Sequence, residues 1–223
     1  MFDYTIIRSN RKTLSVIVER DKQVIVRAPE QLTEQKIHEA VYSKRLLIEK
    51  KLNSNQKYVS DFVPKEFVSG ESFLYLGTLY PLEVVENGSA ELQFKNKFLI
   101  GASNSTTVKQ KLFEWYFTKA KEVLVPRIEH FAEFMGANHK RINVTNAKYT
   151  WGSCTPNGTL NFNWRLIKAP IDVIDYIVVH ELAHLQVPNH SHEFWHIVSV
   201  QLPNYEDAKE WLKENGGSLD EDF

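Results

Sequence analysis

A single cysteine, Cys154, stands in 223 residues, so no intramolecular disulfide can form and a reducing compartment is expected. Neither sign of charge is in real excess: 27 Lys and Arg against 28 Asp and Glu leave a net charge of -1. That balance supplies no electrostatic footprint for nucleic acid or an anionic membrane. No apolar run approaches the length that spans a bilayer, and the first residues, Met-Phe-Asp-Tyr-Thr, lack the basic and apolar regions of a secretory signal. The expectation is a cytoplasmic chain with no membrane or nucleic-acid partner. Internal repeats, low-complexity tracts and flexible interdomain linkers are also missing. Hydrophobic residues, at 43%, are ample for a sizeable core in one large domain or two small ones.

What is there is concentrated in Tyr176-Ile-Val-Val-His-Glu-Leu-Ala-His-Leu-Gln-Val-Pro-Asn-His190. On a helix, His180 and His184 lie one turn apart on one face, close enough to share a small cation. Glu181 lies on the next side, placed to take a proton from water at the cation's open position rather than to be a ligand. Neutral histidines that hold Zn2+ and a carboxylate that moves the proton are the division of labour of a zinc hydrolase. His190 is the expected third ligand. Leu185, Gln186 and Val187 finish the helix, Pro188 stops it, and Asn189 tolerates the turn that swings His190 back. The His-Glu-x-x-His spacing with a histidine six further on equals that of the metzincins, but Val187 stands where their turn glycine would be.

Two alternatives bear on this reading. His180 and His184 could be surface or core histidines beside a salt-bridged Glu181, yet no Lys or Arg lies between Ile171 and Ser199 to pair with it. His192-Glu193-Phe-Trp-His196 is a second match to the same motif. It opens after Ser191, an N-cap residue type, and has no histidine beyond it, so the first copy is the expected catalytic one. His192 or His196 could still stand behind the ligands or supply the third one. Cys154 is open between a fourth ligand, a redox-sensitive thiol and a small buried residue in a Gly-Ser-Cys turn.

The run His180-Glu-Leu-Ala-His-Leu, then Asn189-His190-Ser191 and Phe194-Trp195, resembles the YgjP-like (WrpA-like) zinc metallopeptidases, relatives of the SprT-like group. Trp151-Gly152-Ser153-Cys154, Leu160-Asn161-Phe162-Asn163-Trp164-Arg165-Leu166 and Tyr75-Leu76-Gly77 with Tyr80 extend the likeness over most of the chain. The resemblance implies a zincin-like fold, one Zn2+ per chain at His180, His184 and His190, and Glu181 as general base. It implies little about substrate.

Elsewhere the pattern reads as an α+β protein. Tyr4 to Arg27 suggests two or three strands, and Thr33 opens one helix that carries Ile37, Val41, Ile48 and Leu52 to Asn53–Asn55. Strand-like runs follow at 73–76, 80–85, 91–95 and 98–100, with Asn87-Gly88 as a hairpin signal. Ser105 caps a long helical stretch that Pro126 kinks or divides and Gly136 stops. Ile142–Trp151 and Thr159–Ile167 read as strands around the turn Pro156-Asn157-Gly158, and the metal helix follows to about Gln186. The strand before that helix is where a zincin would pair with an extended substrate; it reads equally as a plain half-buried hairpin. The expected division is a β-rich portion with one helix at 1–104, a zincin-like helical metallopeptidase portion with a β-hairpin before the metal helix at 105–216, and a loose acidic tail at 217–223.

The function so expected is a zinc peptidase acting on peptide or protein substrates, with Tyr149, Arg165 and Tyr205 as candidate oxyanion donors. The rival is a metal-stabilised interaction module without catalysis, which would need a closed four-ligand site. A SprT-like protease acting on DNA-bound proteins lacks the expected basic character.

Overall fold

The β-branched runs near the start of the chain form strands, because alternate Val and Ile side chains find one face to bury. The computed structural model describes residues 2–18, 23–54, 65–85, 91–101, 104–147 and 150–220. They belong to an α+β protein that divides into two compact units, Met1–Ser60 and Asp61–Phe223. In the first, β1 (Tyr4–Ser9), β2 (Ser15–Val18) and β3 (Val24–Pro29) are ordered β1-β3-β2, with β1 parallel and β2 antiparallel to β3. Val24, Val26 and Ala28 of the central strand pack with Ile37, Val41 and Ile48. The single helix expected after Thr33 is two, α1 (Glu34–Ser43) and α2 (Arg45–Ser54), separated at Lys44. The apolar spacing runs through the break, so periodicity alone could not reveal it.

The second unit opens with a four-stranded sheet in the order β4-β5-β7-β6: β4 (Ser72–Tyr75), β5 (Thr78–Val85), β6 (Gln93–Phe94) and β7 (Phe98–Gly101). Asn87-Gly88 lies outside the described residues, but the strands around it do not pair with one another. β5 runs parallel to β7, and the tight reversal is at Asn96, whose φ of 55° joins β6 to β7. The buried face of this sheet, Phe73, Leu82, Phe98 and Ile100, shares one core with Val108, Leu112 and Tyr116 of α3 (Ser105–Met135). The division expected at 104/105 therefore cuts through a core, whereas the two compact units are residues 1–60 and 61–223. Helix α3 passes through Pro126 without interruption. Asn104, not Ser105, caps it by accepting a hydrogen bond from the Thr107 amide at 2.9 Å, and Gly136 ends it in the left-handed region.

A three-stranded sheet, β8 (Arg141–Thr145), β10 (Thr159–Asn163) and β9 (Gly152–Cys154), follows in the order β8-β10-β9. The hairpin partner of β10 is thus 152–154, and β8 pairs with β10 in parallel. The strand expected to continue to Ile167 stops at Asn163. The side chain of this buried asparagine accepts from the Arg165 amide and donates to the carbonyls of Ala147 and Thr150, turning Trp164–Lys168 into a 3-10 helix. Leu76 and Gly77 donate to the carbonyls of Ile167 and Lys168, both at 2.9 Å, and a Cβ on Gly77 would come within 2.8 Å of Pro170. The β4–β5 turn is thereby fastened against the start of α4 (Ile171–Ala183).

Two more helices, α5 (His192–Gln201) and α6 (Tyr205–Asn215), complete the unit. The tail expected to be loose from 217 is ordered through Asp220. Leu219 is fully buried, and its carbonyl accepts from the Lys168 ammonium at 3.0 Å. That ammonium also faces the rings of Trp164 and Tyr116, 5.5 and 5.6 Å from their centroids, which offsets part of the desolvation of a fully buried lysine. Residues 221–223 lie outside the described residues. No helix among those described is long and apolar enough to cross a membrane.

Candidate metal centre

Helix α4 is apolar nearly all round: Val173, Ile174, Tyr176, Ile177, Val178, Val179, Leu182 and Ala183 are buried. Its one buried aspartate, Asp175, is held in a two-point ion pair by Arg127 of α3, Nη2 to Oδ2 at 2.5 Å with Nε on Oδ1. The partner that the local sequence lacks thus arrives from 48 residues upstream. At its far end the Gln186 side chain donates to the Met135 carbonyl at 3.1 Å, so both ends of the segment are tied to α3.

The regular helix ends at Ala183, and His184 follows in a still helical conformation, keeping its ring 5.0 Å from that of His180. The Leu185, Gln186 and Val187 amides bond back to Leu182 and Ala183 before Pro188 ends the turn. Asn189 then accepts from the Ser191 amide at 3.1 Å, and the chain returns His190 to within 4.9 Å of His180 and 4.8 Å of His184, ring to ring. One nitrogen from each of the three histidines falls within 4.8 Å of the others. Among the described residues this is the only such cluster of three or more His, Cys, Asp or Glu groups. His192 and His196 are exposed on α5 and take no part in it.

Three features fit this cluster to a divalent ion of borderline softness. His184 donates from Nδ1 to the Val187 carbonyl at 3.2 Å, which leaves Nε2 as a lone-pair donor. The Nε2 atoms of His180 and His190 are 3.0 Å apart, close to the separation of two nitrogens that each bind a common zinc at about 2.0–2.1 Å. Burial, helped by His184, His190 and Lys209, pushes His180 down to about 3, and burial also lowers His184. Both rings are therefore neutral, and able to bind metal, at any pH near 7.

Glu181, the next residue of α4 after His180, is only 6% exposed. Burial raises its carboxyl to about 7, opposed by a hydrogen bond from the Cys154 backbone amide. It presses against Gly152, where a Cβ would stand 2.6 Å from its Cγ and 2.7 Å from its Oε1. Gly152 therefore lines this carboxyl, a role that its place in the run Trp151–Cys154 did not announce; a glycine inside a strand pattern was the available signal of close approach. Cys154 is half-buried beside this carboxyl, its thiol raised by burial and by Glu181, and is outside the histidine cluster. Of the three oxyanion candidates, Tyr149 lies outside the described residues. Arg165 is committed to Asn146 at 2.5 Å, and the Tyr205 hydroxyl to Glu206.

The raised carboxyl has a consequence for stability. A glutamate at about 7 in the fold and 4.5 when unfolded favours the folded state below pH 4.5, and this contribution is lost as the pH rises through 7. The difference corresponds to about 3 kcal/mol. Metal-free Glu181→Gln is accordingly expected to be more stable than metal-free wild type at pH 8, by up to about that amount, and equal to it at pH 4. His180 is common to both proteins and cancels. Urea unfolding of both at several pH values checks this.

The chain belongs to the YgjP-like metallopeptidase family, whose metallopeptidase domain matches residues 12–215. It is thus a metallopeptidase by family, and the class implies a metal ion. Among solved structures it is similar to the metallopeptidase zymogen of Pyrococcus abyssi abylysin, with 24% identity over 45% of this chain and 99% of that one and a TM-score of 0.39. It is also similar to the metallopeptidase zymogen of Methanocaldococcus jannaschii jannalysin, with 20% identity over 40% of this chain and 91% of that one and a TM-score of 0.34. No curated protein sequence matches it.

Proposed function

We propose that the protein is a zinc-dependent peptidase in which His180, His184 and His190 hold one Zn2+ and Glu181 is the general base. The observation that carries this reading is the pairing of three convergent imidazoles with a buried carboxylate from the adjoining helix position. Zinc in such a site supplies Lewis acidity toward a water and a substrate carbonyl. Glu181 takes the proton from the attacking water and hands it to the leaving amine. Burial favours the protonated form of this carboxyl, which suits a group that must hold the proton between the two transfers. The Cys154 amide and the absent side chain at Gly152 hold that carboxylate in place.

Strand β10 is flanked on both sides and has no edge to offer. The edge that would receive an extended substrate is β9, Gly152–Cys154, which among the described residues pairs only with β10 and carries the amide that holds Glu181. Main-chain pairing there tolerates varied side chains, so peptide or protein substrates in extended form are the expected class. A closed structural site is disfavoured: His192 is outside the cluster, and Cys154 lies against the carboxyl.

Purified protein is expected to carry about one zinc per chain and to cleave a fluorescently labelled, reduced and carboxymethylated casein. A chelator should stop the cleavage and added zinc should restore it. Metal-free wild type, or cleavage indifferent to chelation, overturns the proposal.

A further inference from the structure

Of the three histidines, His190 is the one that neither helix geometry nor a hydrogen bond to the backbone orients. His180 is built into α4, and His184 is locked by its bond to Val187. His190 sits in the loop between α4 and α5, is exposed, and among the described residues its only hydrogen-bonding contact is with His180 itself.

What holds its ring is aromatic. Trp195 stacks on it with centroids 5.6 Å apart and planes inclined by 26°. Tyr205 of α6 stacks on Trp195 at 5.5 Å and 15°, and Tyr176 of α4 stacks on Tyr205 at 6.3 Å and 18°. The Lys209 ammonium, itself held by Glu206 at 3.0 Å, lies 4.7 Å from the Trp195 centroid and 5.8 Å from that of Tyr205. Phe194 meets His190 edge-on at 4.8 Å and 73°, closing another side. Four nearly parallel rings thus run from the loop through α5 and α6 back to the helix that carries the other two histidines.

We propose that Trp195, backed by Tyr205 and Lys209, is a positioning residue that fixes the plane of the His190 imidazole, so that α6, which supplies no ligand, sets the affinity of the metal centre. This rests on His190 being the third ligand. The physical reason is preorganisation. A loop histidine turns freely about two torsions, and aligning it on binding loses entropy that a rigid stack has already removed. Offset and tilted aromatic contacts, and a cation over a ring, attract beyond their packing and so resist rotation of the stacked rings. Groups that orient a metal ligand typically change affinity by about 10–100-fold.

The test is zinc affinity, measured by competition with a chromophoric chelator, together with the visible spectrum of the Co2+ form. Trp195→Ala is expected to weaken zinc about 10–100-fold and to alter the Co2+ spectrum, and Trp195→Phe to restore most of both. Tyr205→Ala should weaken zinc to a smaller extent. In a His190→Ala background the Trp195→Ala effect on zinc should vanish, because the residue it acts through is gone. Equal weakening with and without His190, or an unchanged affinity in folded Trp195→Ala, overturns the proposal. If His190→Ala alone leaves zinc binding intact, the ligand assignment falls and the positioning role falls with it. If His190→Ala weakens zinc but Trp195→Ala does not, only the positioning role falls.

Discussion

Replacing Glu181 by glutamine is expected to lower peptide hydrolysis about 10²- to 10⁴-fold while zinc stays at the wild-type level. The amide matches the carboxylate in shape, and its oxygen can still accept from the Cys154 backbone. The surroundings of the ion are thus preserved, and the capacity to take a proton is removed. The expected signature is a fall in kcat without loss of metal, read from casein cleavage and mass-spectrometric metal content on the same sample. Loss of zinc in this variant would make Glu181 a ligand, and retained activity would move the base elsewhere.

His184→Ala is expected to lose both. Its Nε2 is the best-prepared of the three donors, because the Val187 carbonyl already fixes the tautomer. With this ring gone, two imidazoles remain, one of them on a loop. Zinc should be absent after dialysis, cleavage should fall to background, and added zinc should no longer raise the melting temperature, since a ligand stabilises only the state that binds it. His192→Ala and His196→Ala, in the overlapping copy of the motif, are the controls. Both side chains are exposed and outside the cluster, so metal content and cleavage should match wild type.

The histidine cluster was legible because its members are near neighbours in the chain. Helical spacing brings His180 to His184, and a proline and an asparagine suffice to return His190. What supports the cluster was not legible, because it comes from afar. Arg127, which neutralises Asp175, is on another helix, and Gly152 and Cys154 reach Glu181 from a strand. Trp195 stood only within the run that carries the family resemblance and Tyr205 only as an oxyanion candidate, since nothing in a helical stripe separates packing from orientation.

In the fold, the alternation Leu160, Phe162, Trp164, Leu166 looked like one strand. The Asn163 side chain outbid that period by capturing three backbone groups and curling the chain. Asn87-Gly88 was a sound local turn signal set against a global one: β5 found a parallel partner in β7, and Asn96 made the reversal. The break at Lys44 carries neither glycine nor proline, so no residue type announced it.

The contact between Gly152 and Glu181 bears on how this sequence can vary. Two positions 29 apart share one small volume, so a larger residue at 152 can arise without damage only after the side chain at 181 has shortened. Natural variants should therefore pair glycine at 152 with glutamate at 181 and tolerate alanine or serine at 152 only where the carboxylate is gone. Position 152 would then act as a fossil record: a copy whose histidines survive but whose glycine has drifted is one in which selection for hydrolysis has already lapsed.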